Sequence, residues 1–412
     1  MSIGVWVLGD QLSQQQAALV ALEARLGAVE ARRCCRILLI ESTAVLAWRA
    51  YHRQKLVLVW SAMRHFAAEL AQAGWQVDHC EASSFSEALQ QWSAQHAISE
   101  LHLMEPAERP FRDAITRLWD GAAQRSGTAR SGALPALVWH DSNAFLWSRE
   151  AFAAWARPYK QLRMELFYRE GRRRFGVLMD PDGEPLGGQW NYDHDNRKAP
   201  PKGLTGPEPL WFEPDAITRA VMAKVERLSV DREADGRPPL PGDSTAFGWA
   251  VSRDQALAVL EHFITTRLDG FGPYQDAMVS GQSTLWHALL SPYLNLGLLH
   301  PLEVIQRLEQ AGLQRNTPLA SLEGVIRQIL GWREYPQCNH FGADKPLPPW
   351  LEHLGGSGMA CMDTVLAELK ATGYAHHIQR LMVLANYGLL AGLDPQALTG
   401  WFHRQFIDGY DW

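Results

Sequence analysis

Two folds in series are expected from this sequence: an α/β unit built on a parallel, Rossmann-like sheet, then an all-α unit. Three observations predict it. Short apolar runs alternate with helix-period stretches as far as residue 145, periodicity collapses between about residues 172 and 243, and beyond Asp254 nearly every segment repeats at helical spacing. The expected boundaries are 1–145 for the α/β unit, 146–250 for a connecting helix and long linker, and 251–412 for the helical unit.

Residues 3–8 form the first apolar run, which closes on Gly9-Asp10-Gln11-Leu12 and leads into a helical pattern through Leu26. Arg36–Ile40 repeats the signal, ends at Glu41, and is followed by an amphipathic stretch from Leu56 to Ala73. Trp75–Cys80, Leu101–Met104 and Leu137–Trp139 supply three more strand candidates. This rhythm implies a parallel sheet covered on both faces. Ligands of such sheets sit beyond the carboxyl ends of the strands, which singles out Leu8–Leu12 and Glu41–Thr43. No GxGxxG or Walker spacing occurs there, so a standard nucleotide loop is unsupported. Between the two units, Asp180-Pro-Asp-Gly183, Pro185-Leu-Gly-Gly188 and Ala199-Pro-Pro201 are turn punctuation, and a long ordered connection is expected. Within the helical unit, breaks are expected at Gly270–Pro273, His340–Pro349 and Gly355–Gly358.

Composition narrows the class. The chain has 412 residues, 47% apolar and 20% charged, the balance of a globular protein rather than a disordered one. No run of eighteen apolar residues occurs, so no membrane span is expected. The amino terminus lacks a basic region followed by a long apolar one, and reads as a first strand rather than a signal peptide. A cytoplasmic, monomeric protein is expected. Cys34, Cys35, Cys80, Cys338 and Cys361 form no CxxC pair, and on spacing alone each reads as a small buried hydrophobe. The net charge of −6 argues against general nucleic-acid affinity. Against it stands a local run: Arg157, Lys160, Arg163, Arg169, Arg172, Arg173 and Arg174. It reads equally as a solvated helix face or as a phosphate-tracking surface. The 17 Trp suit either a large core or a stacking and electron-transfer role.

Three segments carry candidate chemistry. Phe271-Gly-Pro-Tyr274 and Ser283-Thr284-Leu285-Trp-His287 through Ser291 and Asn295 put hydroxyls and a histidine at an expected helix start, the place for a pyrophosphate. By itself that segment is better read as a capped helix with a satisfied core histidine. In Glu323–Tyr335, Gln328 and Trp332 share a helical face, so Trp332 suits base stacking and Arg333 a phosphate clamp; a core Trp beside a surface Arg–Glu pair is the plainer account. The closing segment carries His376, His377 and Arg380, the last two neighbours on one helical face. An i,i+4 histidine pair is absent, so zinc is not expected.

Read together, these blocks resemble the cryptochrome/photolyase superfamily, most of all its bacterial iron–sulfur branch, the deoxyribodipyrimidine photolyase-related proteins or prokaryotic (6-4) photolyases. The carriers are Leu8–Leu12, Gly187–Asp193 with Asn196-Arg-Lys198, Phe271–Met278, Leu290–Gly297, Ile326–Glu334 and Ala375–Met382, in order along the whole chain. The resemblance implies light-driven repair of UV-damaged DNA, a (6-4) photoproduct by expectation, by an electron from reduced FAD. A cryptochrome-type blue-light receptor is the alternative, and an inactive remnant a third. By position, Thr284, Leu285, His287 and Ser291 would line the FAD phosphates with Arg333 as charged partner, and Tyr274, Asn295 and Tyr410 join the cofactor set. Arg380 and Asp408 match the pair beside the isoalloxazine, His377 with His376 the histidines of (6-4) repair, and Trp401 an electron relay to the flavin. Asp10, Gln11 and Glu41 are the implied contacts of a lumazine antenna.

The chain also departs from the family pattern. Ala288 and Leu289 replace a polar Ser-Arg in the phosphate segment, and Phe402 stands where a redox-active tyrosine often follows the relay Trp. Cys361 matches the first of four cysteines that hold a [4Fe–4S] cluster; the other three, and an asparagine near flavin N5, would fall past residue 412. A fragment, or in the alternative a natural truncation that lost the cluster, is therefore expected, unable to ligate the cluster alone.

Overall fold

The computed structural model describes residues 2–47, 49–125, 134–334 and 344–410; Cys338, Tyr335 and the terminal Asp411-Trp412 lie outside them. The chain opens β1 Ser2–Val7, α1 Ala17–Leu26, α2 Ala28–Cys34, β2 Cys35–Ser42, α3 Arg53–Gln72, β3 Gln76–Ala82, α4 Phe85–Gln95, β4 Ile98–Met104, α5 Arg109–Arg125 and β5 Ala136–His140. The strands form one parallel sheet of order β3-β2-β1-β4-β5. Alternation along β1 divides two cores: Val5 and Val7 face α1 and α3, while Trp6 and Leu8 face the layer of α4 and α5. All five expected strands are present; β2, β4 and β5 run two to three residues longer than their apolar runs, because pairing continues through the polar ends.

The order reverses between β1 and β4, so the sheet's switch point lies beyond Leu8 and Met104. Gln11 reaches across it, its Nε2 donating to Met104 O at 3.0 Å. The next residue joins the two halves of the molecule, Leu12 N–H donating to Leu296 O at 2.7 Å.

Past the sheet come α6 Arg149–Ala156, α7 Met164–Phe175 and, inside the connection where periodicity is lost, α8 Ala216–Ala234. Periodicity concealed α8 because its buried face is mostly polar, with Thr218, Lys224, Ser229 and Arg232 among its six buried residues. Arg172 of α7 also leaves the basic run: it is fully buried and its guanidinium donates to the carbonyls of Val177, Leu178, Gln189 and Trp190. It knots the start of the connection. At Gly242 the connection bends in a left-handed conformation, φ +79°, and a Cβ there would collide with the His52 ring.

The helical region comprises α9 Arg253–Thr266, α10 Leu268–Tyr274, α11 Ser291–Leu296, α12 Pro301–Gln314, α13 Leu319–Leu330, α14 Pro349–Glu352, α15 Ala360–Thr372, a π-helical turn Gln379–Ala385, α16 Asn386–Ala391 and α17 Pro395–Gln405. Two local expectations change. Gly270–Pro273 lies within α10, where Gly272 lets α13 approach closely; a Cβ there would come within 2.9 Å of Ser321 Cα. Conversely the helix expected from Ser283 begins only at Ser291, with Pro292 in its first turn. The preceding loop holds Leu285 and Leu289 at positive φ, 41° and 55°, conformations that interrupt a helix. The linker holds that loop in place, since a Cβ on Gly206 would stand 2.5 Å from the Leu285 backbone.

Candidate functional site

Four stretches of the helical region enclose a cavity of about 1290 Å³. Small-molecule pockets commonly measure about 300–1,000 Å³, so this one has room for a folded dinucleotide. One wall is the end of α10 and the turn after it, with Phe271, Gln275 and Asp276; another is the 287–295 loop and α11, with His287, Ser291 and Asn295. The third is α13 and its short terminal turn, with Arg327, Gln328, Trp332 and Arg333. The fourth is the carboxy-terminal segment, with Tyr374, His377, Arg380, Asp408 and Tyr410; Asp193 and Arg197 of the linker complete the lining.

Arg380 and Asp408 form a forked ion pair inside this cavity, Nη1–Oδ1 at 2.9 Å and Nη2–Oδ2 at 3.1 Å. The arginine is further held by Ala375 O, which accepts from Nε at 2.6 Å, and its guanidinium lies over the rings of Tyr374 and Phe406 at 5.0 and 4.4 Å. Asp408 accepts from the Ser291 hydroxyl, and its carbonyl accepts from Asn295 Nδ2 at 3.0 Å. Ser291 and Asn295 are four residues apart on one face of α11, which explains why both reach the same aspartate. Arg380 itself lies in the π-helical turn, a wider winding often found at functional sites.

Three imidazoles lie beside that pair. His287 and His376 stack at 4.6 Å with planes 25° apart, and His377 lines the cavity next to them. Nε2 of His287 and both ring nitrogens of His376 are buried with no hydrogen-bond partner among the described residues. Burial, then the nearby Arg380 and His377 charges, brings His376 down to about 4. Burial likewise holds His287 well below the usual range, and burial with Arg380 lowers His377. At neutral pH all three present neutral rings, able to donate or accept at one nitrogen each.

The third wall differs from its helical expectation. Alpha13 ends at Leu330, so Trp332 and Arg333 sit on a turn rather than a helix face. Trp332 is 45% exposed and lines the cavity. Arg333 is buried, pairs with Glu334 at 3.1 Å and covers the Phe145 ring at 4.4 Å. Burial lowers Arg333 and raises Glu334, which also accepts the backbone N–H groups of Leu146 and Trp147.

Other candidate residues stand outside the cavity. Tyr274 packs on Trp286 at 4.9 Å, Thr284 accepts from Arg267 at 3.4 Å, and Leu285 is buried against the linker. Trp401 is fully buried in a separate cluster, its indole N–H donating to Leu351 O at 3.0 Å and its ring meeting Phe402 and Phe406. Asp10 and Gln11 line a smaller cleft of about 20 Å³ at the switch point, shared with Asn295, Arg333 and Tyr410. Burial raises the Asp10 carboxyl to about 6 there. Glu41 does not line that cleft. Its carboxylate is clamped by Arg64 at 2.7 Å, His79 at 2.8 Å and Lys224 at 2.6 Å. Burial alone would raise it, but these hydrogen bonds override burial and hold it at about 2. Cys361 is exposed, and no group of three or more metal-ligating side chains occurs among the described residues.

Sequence reasoning left Gln275, Asp276, Asp193, Arg197 and Arg327 unassigned. Their signal was membership of the Phe271–Met278, Gly187–Asp193, Asn196–Lys198 and Ile326–Glu334 blocks, but only the fold shows which members face inward. Arg197 adopts φ +61° and bridges Asp193 at 2.6 Å and Asp276 at 2.9 Å, tying the linker to the cavity rim.

Residues 5–238 match the family model for deoxyribodipyrimidine photo-lyase-related protein. A (6-4) photolyase from Agrobacterium fabrum is 36% identical over 430 aligned positions, spanning 100% of this chain and 79% of that protein. Two crystal structures share the fold at low identity. A class III photolyase from Agrobacterium tumefaciens has a TM-score of 0.56 and 16% identity over 99% of this chain and 77% of that one. A Synechocystis cryptochrome has a TM-score of 0.61 and 15% identity over 100% of this chain and 79% of that one. The chain belongs to the deoxyribodipyrimidine photo-lyase-related proteins of the cryptochrome/photolyase family.

Proposed function

We propose that this protein repairs UV-induced pyrimidine lesions in DNA, (6-4) photoproducts foremost, using FAD held in the helical-region cavity. In this reading residues 251–412 hold the flavin, 1–145 form an antenna-type unit, and 146–250 join them. The observation that carries it is the convergence of the Arg380–Asp408 pair, His377 and the His287–His376 stack on one cavity of about 1290 Å³. The unpartnered ring nitrogens of His287 and His376 and the unpartnered Nε2 of Gln275 fit a ligand rich in acceptors and donors.

Reduced FAD would supply a light-driven one-electron donor. The chain's own residues do the rest. Arg380 presents a fixed positive charge that favours an anionic ring beside it, while Asp408, Ser291 and Asn295 hold that charge in place. Trp332, half in solvent on the cavity lining, offers a stacking face to a base turned out of the duplex. His377, on the cavity lining, would hold a proton for the lesion. Its lowered pKa means that the protonated form grows only as pH falls below the usual 6.5.

The test is flavin absorbance of the purified protein followed by illuminated repair of a (6-4)-containing oligonucleotide. Flavin retention with light-dependent repair is expected, faster at pH 6 than at pH 8 on the order of a few-fold if the imidazolium is the active form. His377→Ala should abolish repair and keep flavin. Bound flavin with an unaltered lesion would overturn repair and leave the receptor alternative; a colourless protein that cannot take up FAD would overturn both.

A further inference from the structure

Arg267 stands between α9 and α10, is 2% exposed, and joins two segments that are distant in sequence. Its Nη1 donates to His287 O at 2.9 Å, and its Nη2 donates to Pro207 O and, at 3.4 Å, to Thr284 Oγ1. The linker is thereby tied to the 284–289 loop, which carries His287 into the large cavity. All of these acceptors are neutral. No carboxylate of the described residues pairs with Arg267, and Glu208 acts on it only from a distance. Burial brings the guanidinium down to about 10, so it still carries its charge at neutral pH.

A buried charge balanced only by neutral groups is costly. Arg172 shows how this fold meets that cost with carbonyls alone, since its Nε, Nη1 and Nη2 all donate to backbone oxygens. Arg267 is one acceptor short. Its Nε is buried with no hydrogen-bond partner among the described residues, and the side chain lines a cleft of about 10 Å³. That is room for about one particle the size of a water. No acidic side chain lines the cleft. Tyr293 does: its hydroxyl accepts from Ala250 N–H at 3.2 Å, and burial pushes its ionisation up, so it keeps a proton to donate. His262, also on the lining, is lowered by burial and then by Arg267, and stays neutral. Trp211, 44% exposed, marks the side that meets water. The cleft combines a fixed positive charge, a hydroxyl donor and apolar walls, and it is too small for a carboxylate or a phosphate.

We propose that Arg267 and this cleft form a binding site for one monatomic anion, chloride foremost, which locks the linker to the 284–289 loop. The ion completes the donor set of Arg267 and balances its charge, so both segments are held more firmly with it than without it. Ala288 and Leu289 line this cleft and the large cavity alike, so the ion steadies a shared wall. Only the folded chain presents the site, and stability therefore rises with chloride by mass action. A water in the same place would satisfy Nε but leave the charge unbalanced and confer no halide dependence. The site stands whether or not the large cavity holds a flavin.

The experiment follows the thermal midpoint of the full chain as gluconate is replaced by chloride or by bromide at constant ionic strength, which keeps general screening fixed. A saturable rise with either halide is expected, together with slower amide exchange over residues 284–289. Arg267→Met should remove the response. Val259→Ile adds one methylene to the cleft lining and leaves the arginine in place, so it should remove the response even if Arg267→Met misfolds. Crystals grown in bromide should show an anomalous peak in contact with Arg267 Nε. A midpoint indifferent to halide, a response that survives in Val259→Ile, or a water without anomalous signal at Nε would each overturn the site.

Discussion

At the scale of single residues, the molecule spends its buried charge and imidazole in two ways. Arg380 and Asp408 are held against each other as a forked pair. The histidines keep their place by staying neutral, and that makes stability depend on pH. Burial brings His52 and His376 from 6.5 to about 4. Unfolded, both protonate near 6.5; folded, they do so only near 4. Between those values the unfolded chain binds more protons, so their contribution is intact above the window and is lost as pH falls through it. Thermal midpoints measured from pH 7.5 to 4.5 should fall steadily across the lower half of that range. His52 caps α3 by accepting from Gln54 N–H, and His52→Asn retains a capping oxygen while removing the titration, so its profile should be flatter. Arg380→Leu strands the Asp408 carboxylate in a site where it is 5% exposed. Breaking a fully buried pair costs about 3–5 kcal/mol, and the 22% exposure of the Arg380 side chain brings the expected loss to about 2 kcal/mol in a denaturant titration. The same variant should accumulate less reduced flavin under light and thiol.

At the scale of elements, α8 is held to the sheet by charge as much as by packing. Lys224 Nζ bonds Glu41 at the end of β2 and Glu81 at the end of β3, at 2.6 and 2.8 Å, and lies over the Trp60 ring of α3 at 4.5 Å. Lys224→Met keeps the aliphatic stem against Trp60 but leaves Glu41 short of one counter-charge. Arg64 and His79 still hold that carboxylate, so the expected cost is about 2 kcal/mol rather than the larger penalty of an isolated charge. Adding Glu41→Gln should recover part of that loss, a coupling that a double-mutant cycle reads directly. Strictly additive effects would show that the bond contributes nothing to docking of α8. Gly242 marks the other anchor of this connection, where only the absence of a side chain lets the chain pass His52.

At the scale of the whole molecule, a net charge of −6 coexists with a confined basic surface. The run on and before α7 divides by exposure: Arg157, Lys160, Arg163, Arg173 and Arg174 face solvent, whereas Arg172 serves the fold. Replacing Arg157, Lys160 and Arg163 with Gln should weaken DNA binding alike for all sequences. The slope of log affinity against log salt should fall by about 0.9 for each duplex phosphate that the variant no longer neutralises. An unchanged slope would place the DNA elsewhere. Arg172→Gln should instead destabilise the chain, because the carbonyls it satisfies are themselves held close to the core.

Much of this protein is legible in the sequence because local signals and tertiary demands coincide. Apolar runs of strand length separated by helical stretches imply a parallel sheet, since both faces of each strand must be covered. The block holding His377 and Arg380, together with Asp408, points to the cavity through the family resemblance. Tertiary structure decided what one-dimensional pattern does not carry. Alpha8 escaped periodicity because its buried face is polar and finds its partners on β2 and β3, far away in sequence. Ser291 and Asn295 reach Asp408 only because α11 begins late, after two leucines in left-handed conformations. Whether Arg172 meets solvent or backbone carbonyls depends on long-range packing. Residue type sets what a side chain is able to do; burial and neighbours set which of those things it does.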